Sequence, residues 1–308
     1  MSVSVHLGDN KYGKAEVRVV RVVRDTDRHE IADLNVTSQL RGAALESSYL
    51  TGDNAKVVAT DTQKNVVYAF ASEHGITSPE EFLMLLGDHF TGEFDWITGG
   101  LWQAEQYEWE RILVDGAGHD HSFVRKGRAT RLATVQKVAH GDGCATHVTA
   151  GLKDLTVLKS TGSEFHGFPR DRYTTLVETD DRILATSVTA RWRYLPEAVA
   201  AGIDYNAVHD AVGAAMLAAF ASTHSLALQQ SLYEMGRAAI ETCDGIAEIR
   251  FAMPNKHHFL SDLSPFGLKN PNEVFYAADR PYGLIEGTVV RDGVTPAPEA
   301  WTDVPSFV

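Results

Sequence analysis

Arg182, Phe165 and Gln229 are residue types suited to gripping a flat, polar ring. The guanidinium of Arg182 offers a rigid fork of donors that can clamp a planar anion. The Phe165 ring can stack on a flat ligand. The amide of Gln229 can pair with a heterocycle's carbonyl and N–H together. Each also has a plain reading when taken alone. Arg182 follows Asp180 and Asp181 and can form a surface ion pair with either. Phe165 can anchor its loop in the core, and Gln229 can be a solvated helix residue.

The histidines raise the question of a metal. His119-Asp120-His121 and His257-His258 resemble ligand groups at first sight. Neighbouring residues on a strand face opposite sides, and no spacing suited to zinc occurs. The expectation is a solvated turn at 119–121 and no metal site. No phosphate-binding glycine loop and no serine nucleophile elbow is present in the sequence. Two long polar segments remain as candidate loops, Lys159 to Asp171 and Pro254 to Pro281. Long loops in compact domains commonly carry function.

The elements that position these loops follow from periodicity. Glu16-Val17-Arg18-Val19 begins an alternating strand, and Ala32, Leu34 and Val36 mark a second. A helix is predicted over 62–73. A better-marked one begins at Ser78-Pro79-Glu80-Glu81, with N-cap, first-turn proline and the Glu of a capping box. Phe82, Leu85, Leu86 and Phe90 then recur at helical spacing, followed by strand-like runs at 96–112 and 121–139. The second half repeats the order. Strands at 146–159 and 182–194 precede one helix with Val208, Val212, Met216 and Phe220. A second helix carries Leu228, Leu232, Met235 and Ile240, and strands near 246–253 and 283–291 close the half. The pattern is α+β, with each half an antiparallel four-stranded sheet carrying two helices on one face. The boundary falls at Gly141-Asp142-Gly143, giving domains 1–141 and 142–308. Such sheets leave one face and both edges open, which favours assembly of several chains.

Bulk properties bound the function classes. The chain has 308 residues, 44% hydrophobic and 22% charged, enough for an ordinary core. A net charge of −13 argues against a nucleic-acid partner and requires local cations for any anionic ligand. The two cysteines, Cys144 and Cys243, cannot build a disulfide framework. No run approaches the roughly 20 apolar residues that span a bilayer. Met1 to Asn10 lacks an apolar signal core, and Ser306-Phe307-Val308 is not a peroxisomal tripeptide, so the expected location is cytoplasmic. Residues alone stop at an oligomeric α+β protein with two candidate loops.

Several segments go further. Tyr12-Gly13-Lys14, Val58-Ala59-Thr60-Asp61 with Lys64-Asn65, and Leu158-Lys159-Ser160-Thr161 through Phe168 closely resemble the uricase family. So do Asp181-Arg182-Ile183-Leu184 with Thr186, Pro254-Asn255-Lys256-His257-His258-Phe259, and Asn272-Glu273-Val274-Phe275. The resemblance covers nearly the whole chain, weakening around 113–145 and after 291. It implies two tandem tunnelling-fold (T-fold) domains, and a homotetramer whose sheets close into a barrel across subunits. It implies oxidation of urate by O2 to 5-hydroxyisourate and hydrogen peroxide without metal or organic cofactor. Carried over position by position, Arg182 and Gln229 grip opposite edges of urate and Phe165 stacks on it. The backbone N–H groups of Asp61 and Leu228 donate to it; Leu228 stands where Val or Ile is common. Lys14, Thr60 and His257 relay protons, and Asn255 with Thr60 holds water or oxygen above the ring. Two other readings share these segments: a zinc-dependent tunnelling-fold enzyme acting on a pterin or purine, and a purine-binding scaffold without catalysis.

Overall fold

The computed structural model describes residues 4–125, 129–140 and 143–305, with all their side chains except those of His140 and Asp279. Gly141 and Asp142 of the expected boundary, Met1–Val3 and the terminal Ser306–Val308 lie outside the described residues. The chain forms two compact units. One holds residues 1–151, 193–205 and 295–304; the other holds 152–192 and 206–294 with the terminal residues.

In the first unit, β1 (Tyr12–Val23), β2 (Glu30–Arg41), β3 (Gly99–Gln106) and β6 (Thr130–His140) follow one another in an antiparallel sheet. The start of β7 (Gly143–Lys159) comes next in the order. Between β2 and β3 the chain makes a short α1 (Glu46–Thr51), then α2 (Thr60–Glu73) and α3 (Pro79–Glu93). Helix α2 packs on β1, and α3 packs on β3 and β6. Strand alternation turns Val17 and Val19 inward from β1, and Leu34, Val36 and Leu40 from β2. They meet Val67 and Ala71 of α2 and Phe82, Leu83, Leu86 and Phe90 of α3 in the core. Leu85, expected on that face, is only half-buried, and Leu83 takes its place. The α3 cap is as the sequence suggested: Ser78 Oγ accepts from the Glu81 N–H at 3.2 Å, and Pro79 opens the helix.

The second unit continues with the rest of β7, then β8 (Leu184–Tyr194), β9 (Ile246–Leu260) and β10 (Phe275–Val290) in that order. Helix α4 (Pro196–Ala200) follows β8 in the chain and belongs to the first unit. Helices α5 (Tyr205–Ser222) and α6 (Leu228–Thr242) lie between β8 and β9 in sequence. Helix α6 packs on β9 and β10 through Leu232, Met235 and Ile240. Its approach is so close that a Cβ on Gly236 would sit 2.5 Å from the Val289 side chain. The observed pattern is a mostly antiparallel α+β fold.

Three local expectations are corrected. The run 96–112 is not one strand: β3 ends at Gln106, and a separate hairpin of β4 (Glu110–Val114) and β5 (Ala117–Val124) follows. Its two-residue turn is Asp115-Gly116, with φ of 52° and 81°, the positive values a tight hairpin turn requires. His119 and His121 are therefore on strand β5 rather than in a solvated turn. Two residues apart, they share a face, and their rings meet edge-on at 4.5 Å. Finally, 254–281 is not one irregular loop. Strand β9 runs to Leu260 and pairs with β10 from Phe275, leaving 261–274 as the irregular part.

Candidate functional site

The expected site residues form two clusters, one in each unit. Lys14, Thr60 and Asp61 belong to the first; Phe165, Arg182, Leu228, Gln229, Asn255 and His257 belong to the second.

The first cluster is built on a close crossing of β1 and β2. A Cβ on Gly13 would fall 1.8 Å from the Ser38 carbonyl oxygen, so only glycine fits there. Tyr12 donates its hydroxyl to the Val58 carbonyl at 3.1 Å, tying β1 to the turn before α2. Beneath, the Ser38 hydroxyl donates to Gln63 Oε1 at 3.0 Å, with both residues fully buried. After Lys14 the pairing slips by a bulge, with Glu16 at φ 57°. Thr60 and Asp61 are the first two residues of α2. Ala59 precedes them at φ −53° and ψ 136°, and no side chain caps the helix. The first helical bond runs from the Gln63 N–H to the Ala59 carbonyl at 3.1 Å, so the N–H groups before it have no partner within the helix. The Asp61 carboxylate is turned away to Lys64 at 2.6 Å and Asn65 at 3.0 Å. These bonds, Lys64 first, hold its carboxyl below the usual range, and Lys14 adds a smaller positive field.

The second cluster is held by two buried serines. Ser163 and Ser225 form a parallel bridge, both fully buried. Lys159 donates to the Thr223 carbonyl and the Ser225 hydroxyl, each at 2.6 Å, and the Ser225 hydroxyl meets that of Ser231 at 2.6 Å. Burial lowers the Lys159 pKa. Ser163 accepts from Arg182 twice, its carbonyl from the backbone N–H at 2.9 Å and its hydroxyl from Nε at 3.3 Å. The segment bearing Phe165 and Arg182 is thereby fastened to the segment leading into α6. Sequence reasoning placed Lys159 and Ser163 in a candidate loop without giving either a role, and did not single out Ser225; serines carry no pattern that marks such a bridge.

Arg182 is half-buried and precedes β8 by two residues rather than opening it. Its acidic neighbours are engaged elsewhere: Asp180 with His166 at 2.7 Å and Asp181 with the Thr161 hydroxyl at 2.8 Å. The surface ion pair offered by the sequence does not form. Instead the guanidinium carbon lies 5.2 Å from the Phe165 ring centre. Burial lowers the Arg182 pKa. Phe168 stacks on Phe165 with centroids 5.1 Å apart and braces the ring.

Leu228 and Gln229 open α6 behind extended Ala227, again with no side-chain cap. Gln230 folds back to accept the Leu226 N–H at 2.8 Å, while exposed Gln229 forms no side-chain hydrogen bond among the described residues. Asn255 and His257, two apart on β9, share a face. Opposite them the β10 pairing slips between Ala278 and Gly283. His257 lies against Phe259 at 5.7 Å. Burial, then the charges of Arg182 and His258, lower its pKa, so its neutral form is favoured. Lys14, Thr60, Asn255 and His257 are all half-buried, and among the described residues their side chains form no hydrogen bond.

Each unit thus offers an uncapped helix N-terminus, which favours an anion, beside unspent polar side chains. A family model described as uricase matches residues 10–136 and 148–286. The uricase of Arthrobacter globiformis is 59% identical over 303 residues, covering 98% of this chain and 96% of that one. The Dictyostelium discoideum uricase is 39% identical over 285 residues, covering 92% and 96%. The crystal structure of the Arthrobacter globiformis uricase aligns with a TM-score of 0.91 at 58% identity, covering 98% of this chain and all of that one. A Bacillus fastidious uricase at 23% identity, with a TM-score of 0.79, shares the fold. With matches spanning both units and every segment that carries the two clusters, the chain belongs to the uricase family.

Proposed function

We propose that this protein is a urate oxidase, converting urate, O2 and water to 5-hydroxyisourate and hydrogen peroxide without metal or organic cofactor. The observation that carries the reading is Arg182, unpaired with its acidic neighbours and held 5.2 Å from Phe165. A flat anion on the Phe165 face would meet the guanidinium fork at its edge. Gln229 takes the opposite edge, and the Asp61 and Leu228 N–H groups donate to ring oxygens or nitrogens. Lys14, Thr60 and His257 remove and relay the urate proton. Thr60 suits a relay because its hydroxyl both donates and accepts. Asn255 and Thr60 hold O2, and later water, above the ring. Urate gives two electrons to O2, which leaves as peroxide, and water supplies the new hydroxyl at C5. The protein supplies positioning and proton transfer.

The chain is read as two tandem T-fold domains, 1–141 and 142–308. The chain assembles as a homotetramer whose sheets close into a barrel, in the cytoplasm. Each site combines Lys14, Thr60 and Asp61 of one protomer with the second cluster of another. Among the described residues no helix is long and apolar enough to cross a membrane. The test is loss of urate's ultraviolet absorbance with equimolar peroxide, before and after strong chelation. Absence of turnover, or turnover lost on chelation and restored by one metal, refutes the reading.

A further inference from the structure

We propose that Glu164, His166 and Asp180, joined by His224, form a site for a borderline divalent metal ion such as Zn2+. The ion would clamp the ribbon that carries Phe165. The site lies on the second unit and uses none of the residues assigned to urate.

The construction begins with an isolated antiparallel bridge between Phe165 and Thr179. Its two backbone bonds measure 2.9 and 3.2 Å. Antiparallel pairing around that bridge sets Glu164 beside Asp180 and His166 beside Glu178. Side chains alternate across a strand, so these four project from the face opposite Phe165. The contacts agree. His166 Nε2 lies 2.7 Å from Asp180 and 3.6 Å from Glu164. The other His166 nitrogen lies 4.0 Å from Glu178. One ligand atom each from Glu164, His166 and Asp180 falls within 4.8 Å of the others. His224 Nε2 approaches the second Glu164 oxygen at 2.8 Å, adding an imidazole from the loop before α6.

Two imidazoles and two carboxylates suit zinc and its neighbours rather than calcium or magnesium, which favour all-oxygen shells. Zinc-to-ligand distances of about 2.0–2.2 Å place tetrahedral ligand atoms ~3.4 Å apart, so the Glu164, His166 and Asp180 atoms, all within 4.8 Å of one another, must draw together and His224 must swing in to complete the set. The three carboxylates of Glu164, Glu178 and Asp180 give the patch the negative field a cation needs. A bound ion would join both strands of the Phe165 ribbon to the His224 loop, on the side away from the ring. The ion is a structural clamp and takes no part in turnover, which the proposed function assigns to side chains alone.

The test is calorimetric titration of the full chain with Zn2+ in a non-chelating buffer near neutral pH. Amide hydrogen exchange is followed in parallel. One Zn2+ per chain is expected. His166→Ala and Asp180→Asn should each weaken binding by ~10-fold or more, and Zn2+ should slow exchange across 163–167 and 178–182 in the unsubstituted chain only. Failure to take up zinc, or uptake unchanged in both variants, would overturn the site. So would uptake kept in both but lost in His257→Ala. Uptake without slowed exchange would overturn the clamp. Neither readout uses turnover, so zinc binding by a chain inert to urate would refute the activity and leave this site standing.

Discussion

Ala59 and Ala227 hold equivalent places in their units: each is the non-helical residue before a helix whose N-terminus no side chain caps. Helix α3 is capped by Ser78, whereas the short α1 and α4 also begin without a side-chain cap. Replacing a capping residue by alanine costs about 0.5–2 kcal/mol, so the first-turn N–H groups of α2 and α6 are free to take either a cap or a ligand. Ala227→Ser is therefore expected to raise Tm while raising KM for urate, because the new hydroxyl competes for the first-turn N–H groups. Calorimetry and steady-state kinetics together check this. Greater stability with KM unchanged would mean the α6 N-terminus does not meet the substrate.

Arg182→Ala should damage urate binding. A charge-assisted bond contributes roughly 1.5–3 kcal/mol, which is about a 10- to 150-fold rise in KM. The Arg182 Nε bond to Ser163 is long, at 3.3 Å, and the backbone bond survives the substitution, so the fold should persist. Circular dichroism establishes folding and kinetics reads KM. An unchanged KM would remove Arg182 from the substrate site.

His257 should stay neutral below the ordinary histidine pKa of 6.5, because burial and Arg182 disfavour its charge. In the unfolded chain it protonates as pH falls through about 6.5, whereas in the folded chain it resists. Its contribution to stability is then complete above about pH 6.5. It is lost as pH falls from there toward the lower folded value. Any acid limb of kcat due to His257 should lie below 6.5. In Arg182→Ala the His257 pKa should rise part of the way back, since burial remains the larger cause. An NMR titration of the ring follows both; no upward movement would separate the two residues electrostatically.

Different parts of the molecule were legible for different reasons. Ser78-Pro79-Glu81 could be read because a cap is a local device. Asp115-Gly116 was just as local, and the strand assignment of 96–112 overran the hairpin that follows β3. The extension of β9 and β10 was hidden, because Leu260 pairs with Phe275 across an intervening loop and polarity there mimics a loop. Single site residues such as Arg182 were ambiguous until the fold placed Asp180 on His166 and Asp181 on Thr161. Lys14 and Thr60 stood out only through whole-segment resemblance, since neither has a periodic signature. The Glu164–His166–Asp180 group depends on the Phe165–Thr179 bridge, whose register no sequence spacing announces.

Lys14→Ala should act on the chemical step. Loss of a positioned proton-transfer group costs ~10²–10⁴ in rate. Lys14 forms no side-chain hydrogen bond among the described residues, so Tm should move little. Stopped-flow kinetics at saturating urate isolates the step. A kcat equal to that of the unsubstituted enzyme would show that protons leave by another route.

The division of candidate residues between the units makes site sharing directly testable. Lys14, Thr60 and Asp61 belong to one unit, and Phe165, Arg182, Leu228, Gln229, Asn255 and His257 to the other. If a complete site draws its two clusters from different protomers, two inactive variants can repair each other. One carries Lys14→Ala and Thr60→Ala; the other carries Arg182→Ala and His257→Ala. Each alone has only damaged sites. Mixed under conditions that exchange subunits, a pair holds one site with both clusters intact and one with both damaged. Activity should return to at most half the unsubstituted rate per mixed pair. A site confined to one chain always retains a damaged cluster, whatever its neighbour. Native mass spectrometry must first establish mixed assemblies. Once they are present, continued inactivity would eliminate the shared site while leaving urate oxidation by each chain's own clusters to stand.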